Sequence, residues 1–200
     1  MVRNSIGWIL RAAWSVAASS ALIPAGVKAD VQDRVFKEFT NTRCGYAVEY
    51  PAGWRLEVSG DRFAVASYPA SRAIREFGVP PGEAEIIVLV PEEIRPAARP
   101  KDLEEWATSS TEHQSVAGRR NLDVETGRGK QPVIEVTTRC CLSPPFVEAV
   151  EWFLQVGKRM FSVTLVHWEG DGNLERLRML LQHVALSIRL TLPQVGVDRQ

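Results

Sequence analysis

The feature that most constrains this sequence is a pair of alternating segments, Glu148–Val156 and Arg159–Trp168, joined by Gly157-Lys158. Apolar side chains recur at every second position in both segments, which is the pattern of a half-buried β-strand. A two-residue turn with glycine in its first position supplies the positive φ that a tight hairpin needs. The register imposed by this turn brings the two apolar faces onto the same side. The sequence therefore predicts a β-hairpin.

An amphipathic segment follows the hairpin. Its apolar residues are spaced by three and four and form one stripe, namely Leu174, Leu177, Leu181, Val184 and Ile188. Asp171, Gly172 and Asn173 come directly before it and are residues typical of a helix N-cap. A hairpin with one apolar face and a helix with one apolar stripe bury these surfaces against each other. Together they predict a packed α+β unit.

The preceding chain is predicted to contain further strands and one more helix. The expected strands are Gly45–Tyr50, Trp54–Val58, Phe63–Tyr68, Glu85–Val90, Arg119–Gly127 and Val133–Cys140, after a strand or ordered arm at Asp30–Asn41. Because short turn sequences separate the first three, we expect them to form an antiparallel meander. A helix is predicted over Asp102–Glu112, where Asp102 and Glu105 have capping-box spacing. This order of elements predicts an α+β sandwich with mostly antiparallel strands.

Both ends of the chain are predicted to lie outside this domain. Residues 1–29 combine a basic start, the apolar run Ala12–Ile23 and the small-residue spacing Val27-Lys28-Ala29, which is typical of a signal peptide cleaved near Ala29. The alternative is a retained membrane anchor, although the apolar run is shorter than the roughly 18 residues of a spanning helix. We therefore expect a single domain at 30–192, a polar tail at 193–200, and a periplasmic or secreted location with no stable membrane span.

The charge of the mature chain argues against nucleic-acid binding. Removing the three basic residues of 1–29 leaves 21 basic and 24 acidic residues, a net charge of −3. The remaining basic residues are scattered along the sequence, whereas nucleic-acid binding depends on a clustered basic surface. We expect no nucleic-acid partner.

Three cysteines remain after the signal segment: Cys44, Cys140 and Cys141. In an oxidising compartment disulfides persist. Cys44 and Cys140 are both in phase with the apolar side of their strands, so we predict a Cys44–Cys140 disulfide with Cys141 as a thiol. Three reduced thiols are the main alternative, and a bond between adjacent Cys140 and Cys141 is a third, because connectivity cannot be deduced from sequence.

The sequence contains no recognisable catalytic or metal-binding pattern. His113, His167 and His183 are separated from one another, and there is no nucleophile-elbow motif. The acidic residues near Glu169 lack the remainder of a calcium loop and are explained by helix capping. We predict no catalytic residue, no cofactor and no metal.

The tryptophans suggest one contact residue. Trp54, Trp106 and Trp152 are in apolar phase and are predicted to be core. Trp168 lies at a strand end on the other face, so we expect it to be exposed and to contact a ligand or partner.

Several segments resemble the PsbP-like domain family. The strand Tyr46–Tyr50 continuing into Pro51-Ala-Gly-Trp54 is similar to the opening of such domains, and Glu151-Trp-Phe, Phe161-Ser-Val-Thr-Leu and Leu181…Ile188-Arg189 are similar to their last hairpin and helix. The resemblance spans roughly Val35 to Leu190. It implies a twisted antiparallel β-sheet packed between helices, an α/β/α sandwich. Family members include extrinsic photosystem subunits and exported bacterial proteins, some of them binders of hydrophobic molecules, and the family supplies no catalytic residues to transfer.

Three functional hypotheses follow. The first is an exported, non-enzymatic domain that binds a protein partner or assists an envelope complex. The second is a carrier of a small apolar or lipid-like ligand, held in a cavity lined by Phe63, Trp152 and Phe161. In that case the segment 69–83 is a lid, whereas we otherwise interpret it as a crossover loop. The third is a hydrolase, which requires a histidine, an acid and a nucleophile to converge in the fold.

Overall fold

The computed structural model describes residues 35–59, 62–70, 79–91, 99–112, 114–127, 129–140, 147–170 and 172–191. The predicted signal peptide at 1–29 and polar tail at 193–200 lie outside these residues, so both stay predictions. None of the helices in the described ranges combines the length and the apolar character of a membrane span.

Seven antiparallel strands form the main sheet. In chain order they are β3 (Arg55–Ser59), β4 (Arg62–Ala66), β5 (Glu85–Leu89), β6 (Ser115–Thr126), β7 (Gly129–Cys140), β8 (Val147–Val156) and β9 (Arg159–Trp168). Their spatial order is β3-β4-β5-β9-β8-β7-β6. The predicted central hairpin is β8–β9, with Leu154 opposite Phe161 and with Gly157 at φ 61° in the turn. The period-two pattern and the turn residue together fixed this register.

Three strands form a second, smaller sheet. They are β1 (Phe36–Asn41), β2 (Tyr46–Pro51) and β10 (Arg189–Leu190), in the order β1-β2-β10. The predicted meander is therefore wrong at its first connection, because β2 and β3 lie in different sheets. Both edges of β2 are already hydrogen bonded, one to β1 and the other to β10, so β3 must pair elsewhere.

Within the described residues, two helices cover opposite faces of the main sheet. Helix α1 (Leu103–Ser109) begins at the predicted cap, where the Asp102 carboxylate accepts a hydrogen bond from the Glu105 amide at 2.8 Å. It ends three residues before the predicted end. The Thr111 hydroxyl donates to the Ala107 carbonyl at 2.9 Å and competes with continuation of the helix. Helix α2 (Leu174–Ser187) follows β9 as predicted and leads through Ile188 into β10.

The side chains of the sheet alternate between two cores. On the α2 side, Val150, Trp152 and Leu154 pack with the stripe of α2 and with the small sheet, where the rings of Tyr46 and Phe161 meet edge-on at 5.5 Å. On the α1 side, Phe153 packs against Trp106, Ile134 and Val136. The sheet thus lies between the helices, which confirms the predicted α+β fold. Trp54, Trp106 and Trp152 are buried, as predicted.

The three residues predicted to line a ligand cavity between the sheet and a helix lie in the core. Phe63 and Phe161 are fully buried, and Trp152 is 6% exposed. The ring of Phe63 contacts the rings of Phe39 and Tyr50 from the small sheet. These three side chains are therefore core residues. Residues 71–78 of the loop interpreted as a crossover or a lid lie outside the described ranges.

Candidate functional site

The β6–β7 hairpin forms the outer border of the main sheet. Both strands are 12 residues long, whereas β7 pairs with β8 only from Val133 onward. Pro132 explains this limit, because proline has no amide hydrogen to donate to the neighbouring strand. The end of the ribbon, from Asp123 to Pro132, therefore extends past the β7–β8 pairing.

A groove of about 450 Å³ lies on the α1 side between this ribbon and the start of α1. We call it the α1–β6 groove. It is lined by Asp102, Leu103, Glu104, Asn121, Leu122, Asp123, Pro132, Val133, Ile134 and Gln155. Helix α1 has only seven residues, so it covers the sheet at Phe153 and leaves the strip beside β6 open. The groove exists because a short helix packs near a long edge hairpin.

The lining combines an apolar floor with acidic walls. Leu103, Pro132 and Ile134 supply the apolar surface. Asp102 is engaged as the helix cap, and Glu104 forms an ion pair with Arg119. The exposed carboxylate of Asp123 makes no hydrogen bond or ion pair with the other described residues. The groove therefore offers apolar contact next to a carboxylate that is available to a cationic group.

A second polar cluster, on the α2 side, is structural. The Glu135 carboxylate is 4% exposed and accepts hydrogen bonds from the Trp152 indole and the Arg120 guanidinium, each at 2.8 Å. Arg178 of α2 lies 3.6 Å from the same carboxylate. A buried charge with these partners is satisfied and fixes the position of α2 over the sheet.

The third cluster surrounds His167, which is 1% exposed. Its Nδ1 lies 2.9 Å from the Trp168 carbonyl oxygen, which can only accept, so Nδ1 carries a proton. Its Nε2 lies 3.9 Å from Glu148, too far for a hydrogen bond. Arg139 donates to Glu148 and also pairs with Glu169, each at 2.8 Å. Nε2 of His167 has no hydrogen-bond partner among the described residues, so no described nucleophile bonds to it.

Glu151, Ser162 and Thr164 meet on the α1 side. Burial raises the pKa of the Glu151 carboxyl, and hydrogen bonds from the two hydroxyls act in the opposite direction. A serine that donates to a carboxylate has the composition of a nucleophile and its base. Ser162, however, is fully buried. Its hydroxyl therefore lacks the access that a nucleophile needs, and the cluster is a satisfied buried polar group.

Trp168, the predicted contact residue, is half-buried, so the expectation of exposure is wrong. Its indole N–H donates to the Val79 carbonyl at 2.7 Å, and its ring packs beside Ala66 and Tyr68. The sequence pattern placed Trp168 on the correct face but could not show that the chain near Val79 covers it. A role in ligand or partner contact stays a prediction.

The cysteines also differ from expectation in burial. Cys44 belongs to the core on the α2 side, whereas Cys140 is exposed at the end of β7. Cys140 therefore does not lie on a buried apolar side. The Cys44–Cys140 disulfide stays a prediction. A thiol count on the unfolded, unreduced chain tests it, since one thiol is expected with the bond and three without it.

The remaining predicted candidates are dispersed. His183 stacks on Phe36 at 3.7 Å and lies 2.9 Å from Glu49. His113, Cys141 and Asp171 lie outside the described ranges. Across the part of the chain that the structure describes, no group of three His, Cys, Asp or Glu side chains is placed to hold a metal ion.

The α1–β6 groove was not predicted from the sequence. The strand at β6 was expected from Arg119, four residues after its actual start at Ser115. The available signal was the length of the two polar, alternating segments around the turn at Gly127, which is greater than in the other hairpins.

Comparison with known proteins identifies similar folds only. No family model and no curated protein sequence matches this chain. The solved structure of the Ran-binding protein Mog1p of Saccharomyces cerevisiae is 12% identical with a TM-score of 0.49, and the match covers 78% of this chain and 95% of that one. PsbP (CyanoP) of the cyanobacterium Synechocystis matches at 12% identity and a TM-score of 0.41 over 78% of this chain and 92% of that one.

A further match is LpqN of Mycobacterium tuberculosis, a protein involved in cell envelope biogenesis. It is 12% identical with a TM-score of 0.41, over 82% of this chain and 96% of that one. The matches thus include a PsbP protein, a member of the family that the sequence segments resemble. At this identity the likeness describes the fold alone and assigns no activity or partner.

Proposed function

We propose that this chain is an exported, non-enzymatic domain that binds an extended, basic segment of a protein partner in the α1–β6 groove. The observation that carries the proposal is the groove itself, where an apolar floor lies beside the exposed carboxylate of Asp123. The signal-peptide pattern of residues 1–29 supports export.

The shape of the groove favours a peptide segment. It is open along its length and is bordered by β6, so an extended chain fits without any opening of the fold. Leu103 and Ile134 provide contacts for one apolar side chain, and Asp123 provides a contact for a lysine or arginine beside it. An acidic segment would be repelled by the acidic side chains of the groove.

Selection from a library of displayed random peptides tests this function and requires no assumption about the identity of the partner. The expected result is enrichment of peptides that combine lysine or arginine with an adjacent apolar residue. Binding of the enriched peptides should be lost in Asp123→Lys. It should be retained in Glu175→Lys, which makes the same charge change at an exposed position on α2.

Two results contradict the proposal. One is the absence of enrichment over a matched unrelated domain. The other is equal loss of binding in Asp123→Lys and Glu175→Lys, which would indicate non-specific attraction of basic peptides by an acidic protein.

A further inference from the structure

The outer edge of β6 is long and exposed. The strand has 12 residues, of which the first seven are exposed and the rest alternate between exposed and half-buried. The opposite edge of the main sheet, β3, has only five residues. Proteins commonly keep edge strands short or covered, because an exposed edge offers unpaired amide and carbonyl groups to another chain. The β6 edge departs from this practice.

The charges along β6 are arranged in two blocks. Arg119 and Arg120 stand in its first half, and Asp123 and Glu125 stand in its second half. If a second β6 lies antiparallel to the first, each basic block faces an acidic block. In a parallel arrangement arginine would face arginine. The pattern is therefore complementary to itself in one orientation only.

We propose that two copies of this chain associate through antiparallel pairing of their β6 strands, which makes one continuous sheet across the dimer. This inference rests on the sheet edge and its charges and not on peptide binding in the α1–β6 groove. The two-fold axis is perpendicular to the sheet, so both α1 helices lie on one face and both α2 helices on the other.

The geometry limits the register of this pairing. Residues directly opposite each other in an antiparallel pair point to the same face, so the axis must pass beside one residue and not between two. With the axis beside Leu122, Arg119 lies opposite the partner subunit's Glu125 on the α1 side. On the α2 side, Leu122 meets Leu122 of the partner subunit, and the stem of Arg120 lies along the partner's Val124.

The β6 side chains that would meet across the dimer are accessible to a second copy of the chain. Glu125 is 75% exposed although Lys130 lies 3.8 Å away, and Arg120 is 54% exposed although it bonds to Glu135. Arg119 pairs with Glu104 through one terminal nitrogen and donates to the Thr108 hydroxyl at 3.2 Å through the other, and its guanidinium carries five N–H donors in all. Leu122 and Val124 are half-buried against the α2-side core, so pairing would complete the burial of an apolar strip.

The irregularity in β6 lies outside this paired region. The register with β7 shifts between Val116 and Gly118, which is a β-bulge or similar distortion. From Gly118 to Thr126 the pairing with β7 is regular. The regular part of the edge is thus the part that carries the self-complementary charges.

Charge exchange between variants tests the proposal. The chain, as processed by its host, is studied by sedimentation equilibrium over a concentration series, with a reductant present so that Cys140 and Cys141 cannot cross-link copies. The wild-type protein is expected to dimerise. Arg119→Glu alone and Glu125→Arg alone each place like charges opposite each other twice per dimer, and each should raise the dimer Kd by roughly tenfold or more.

Mixing the two single variants is the decisive step. In the mixed dimer, the glutamate at 119 faces the arginine at 125, and the native Arg119 faces the native Glu125, so both contacts are attractive. A mixed dimer with a Kd near the wild-type value is expected. Glu175→Arg serves as the control for net charge and should leave the Kd unchanged.

Three outcomes overturn the proposal. They are a wild-type monomer throughout the series, a dimer that neither single variant weakens, and weakened single variants that do not recover on mixing. Circular dichroism of each variant checks that it is folded. Misfolding cannot imitate the expected result, because only complementary folded copies can restore each other.

Discussion

The buried hydrogen bond between Trp152 and Glu135 allows a quantitative prediction about the stability of the core on the α2 side. The indole nitrogen lies 2.8 Å from a carboxylate that is 4% exposed. Trp152→Phe removes this donor and part of a buried ring. A hydrogen bond to a charged group contributes about 1.5–3 kcal/mol, and the lost ring atoms and residual cavity cost a further ~1–2 kcal/mol. The free energy of unfolding should therefore fall by about 2.5–5 kcal/mol.

Trp106→Phe is the matched control. Trp106 is 4% exposed and Trp152 is 6% exposed, and each is packed in one of the two cores beside the sheet. The Trp106 indole, however, donates to none of the described residues. Its replacement should cost only the packing part, about 1–2 kcal/mol. Chemical unfolding in urea, followed by circular dichroism because the fluorophore itself is changed, measures both variants on one scale.

The test is the difference between the two variants in the loss of unfolding free energy. It should be about 1.5–3 kcal/mol and should persist in about 1 M NaCl, because salt screens a buried contact much less than an exposed one. Equal losses in the two variants would refute the assignment of Glu135 as an essential acceptor. A difference that disappears in high salt would show that the carboxylate is solvated, contrary to its burial.

Three further predictions concern single side chains. Burial, with a contribution from Glu85 at 3.1 Å, raises the pKa of the Tyr68 hydroxyl well above its usual value. The stability that the protonated hydroxyl contributes is therefore present below pH about 10 and is lost as the pH rises further. Tyr68→Phe should flatten this alkaline part of a pH–stability curve. Because burial raises the pKa of the Glu151 carboxyl, ionisation of this group at neutral pH opposes folding. Glu151→Gln should therefore raise the Tm at pH about 7 and leave it nearly unchanged at pH about 4. Calorimetry at both pH values measures this difference. Gly157→Ala forces a side chain into φ 61° and places Cβ 3.1 Å from Leu190, so it should cost about 1–2 kcal/mol in thermal unfolding, whereas Gly118→Ala, which meets open space, should cost much less.

The elements that the sequence predicted well are those specified by neighbouring residues. The β8–β9 hairpin follows from its period and from Gly157, and α1 begins where the side chain of Asp102 reaches the amide of Glu105. Such signals act within a few residues, so the order of the chain alone is enough to interpret them. The predicted α+β sandwich followed for the same reason, because each helix and strand carries its own apolar face.

The elements that it missed depend on distant partners. The pairing of β2 with β10 joins Ala47 to Arg189, and no local pattern indicates that this pairing displaces β3. Trp168 is covered by the backbone near Val79, which is far away in sequence. The α1–β6 groove likewise arises between two elements that do not depend on each other for their secondary structure. Long-range contacts decide sheet membership and exposure, and single-sequence periodicity does not contain them.

The two faces of the main sheet have different consequences for function. On the α2 side, the 14-residue helix, the small sheet and the buried carboxylate of Glu135 form a continuous core, so substitutions there should mainly alter stability. On the α1 side, the seven-residue helix leaves exposed polar positions such as Asn121 and Asp123 beside it. Substitutions at such positions typically change stability by less than about 0.5 kcal/mol. The α1 side can therefore vary in its binding chemistry while the α2 side maintains the fold, and this division is the physical reason for proposing a partner site at the α1–β6 groove.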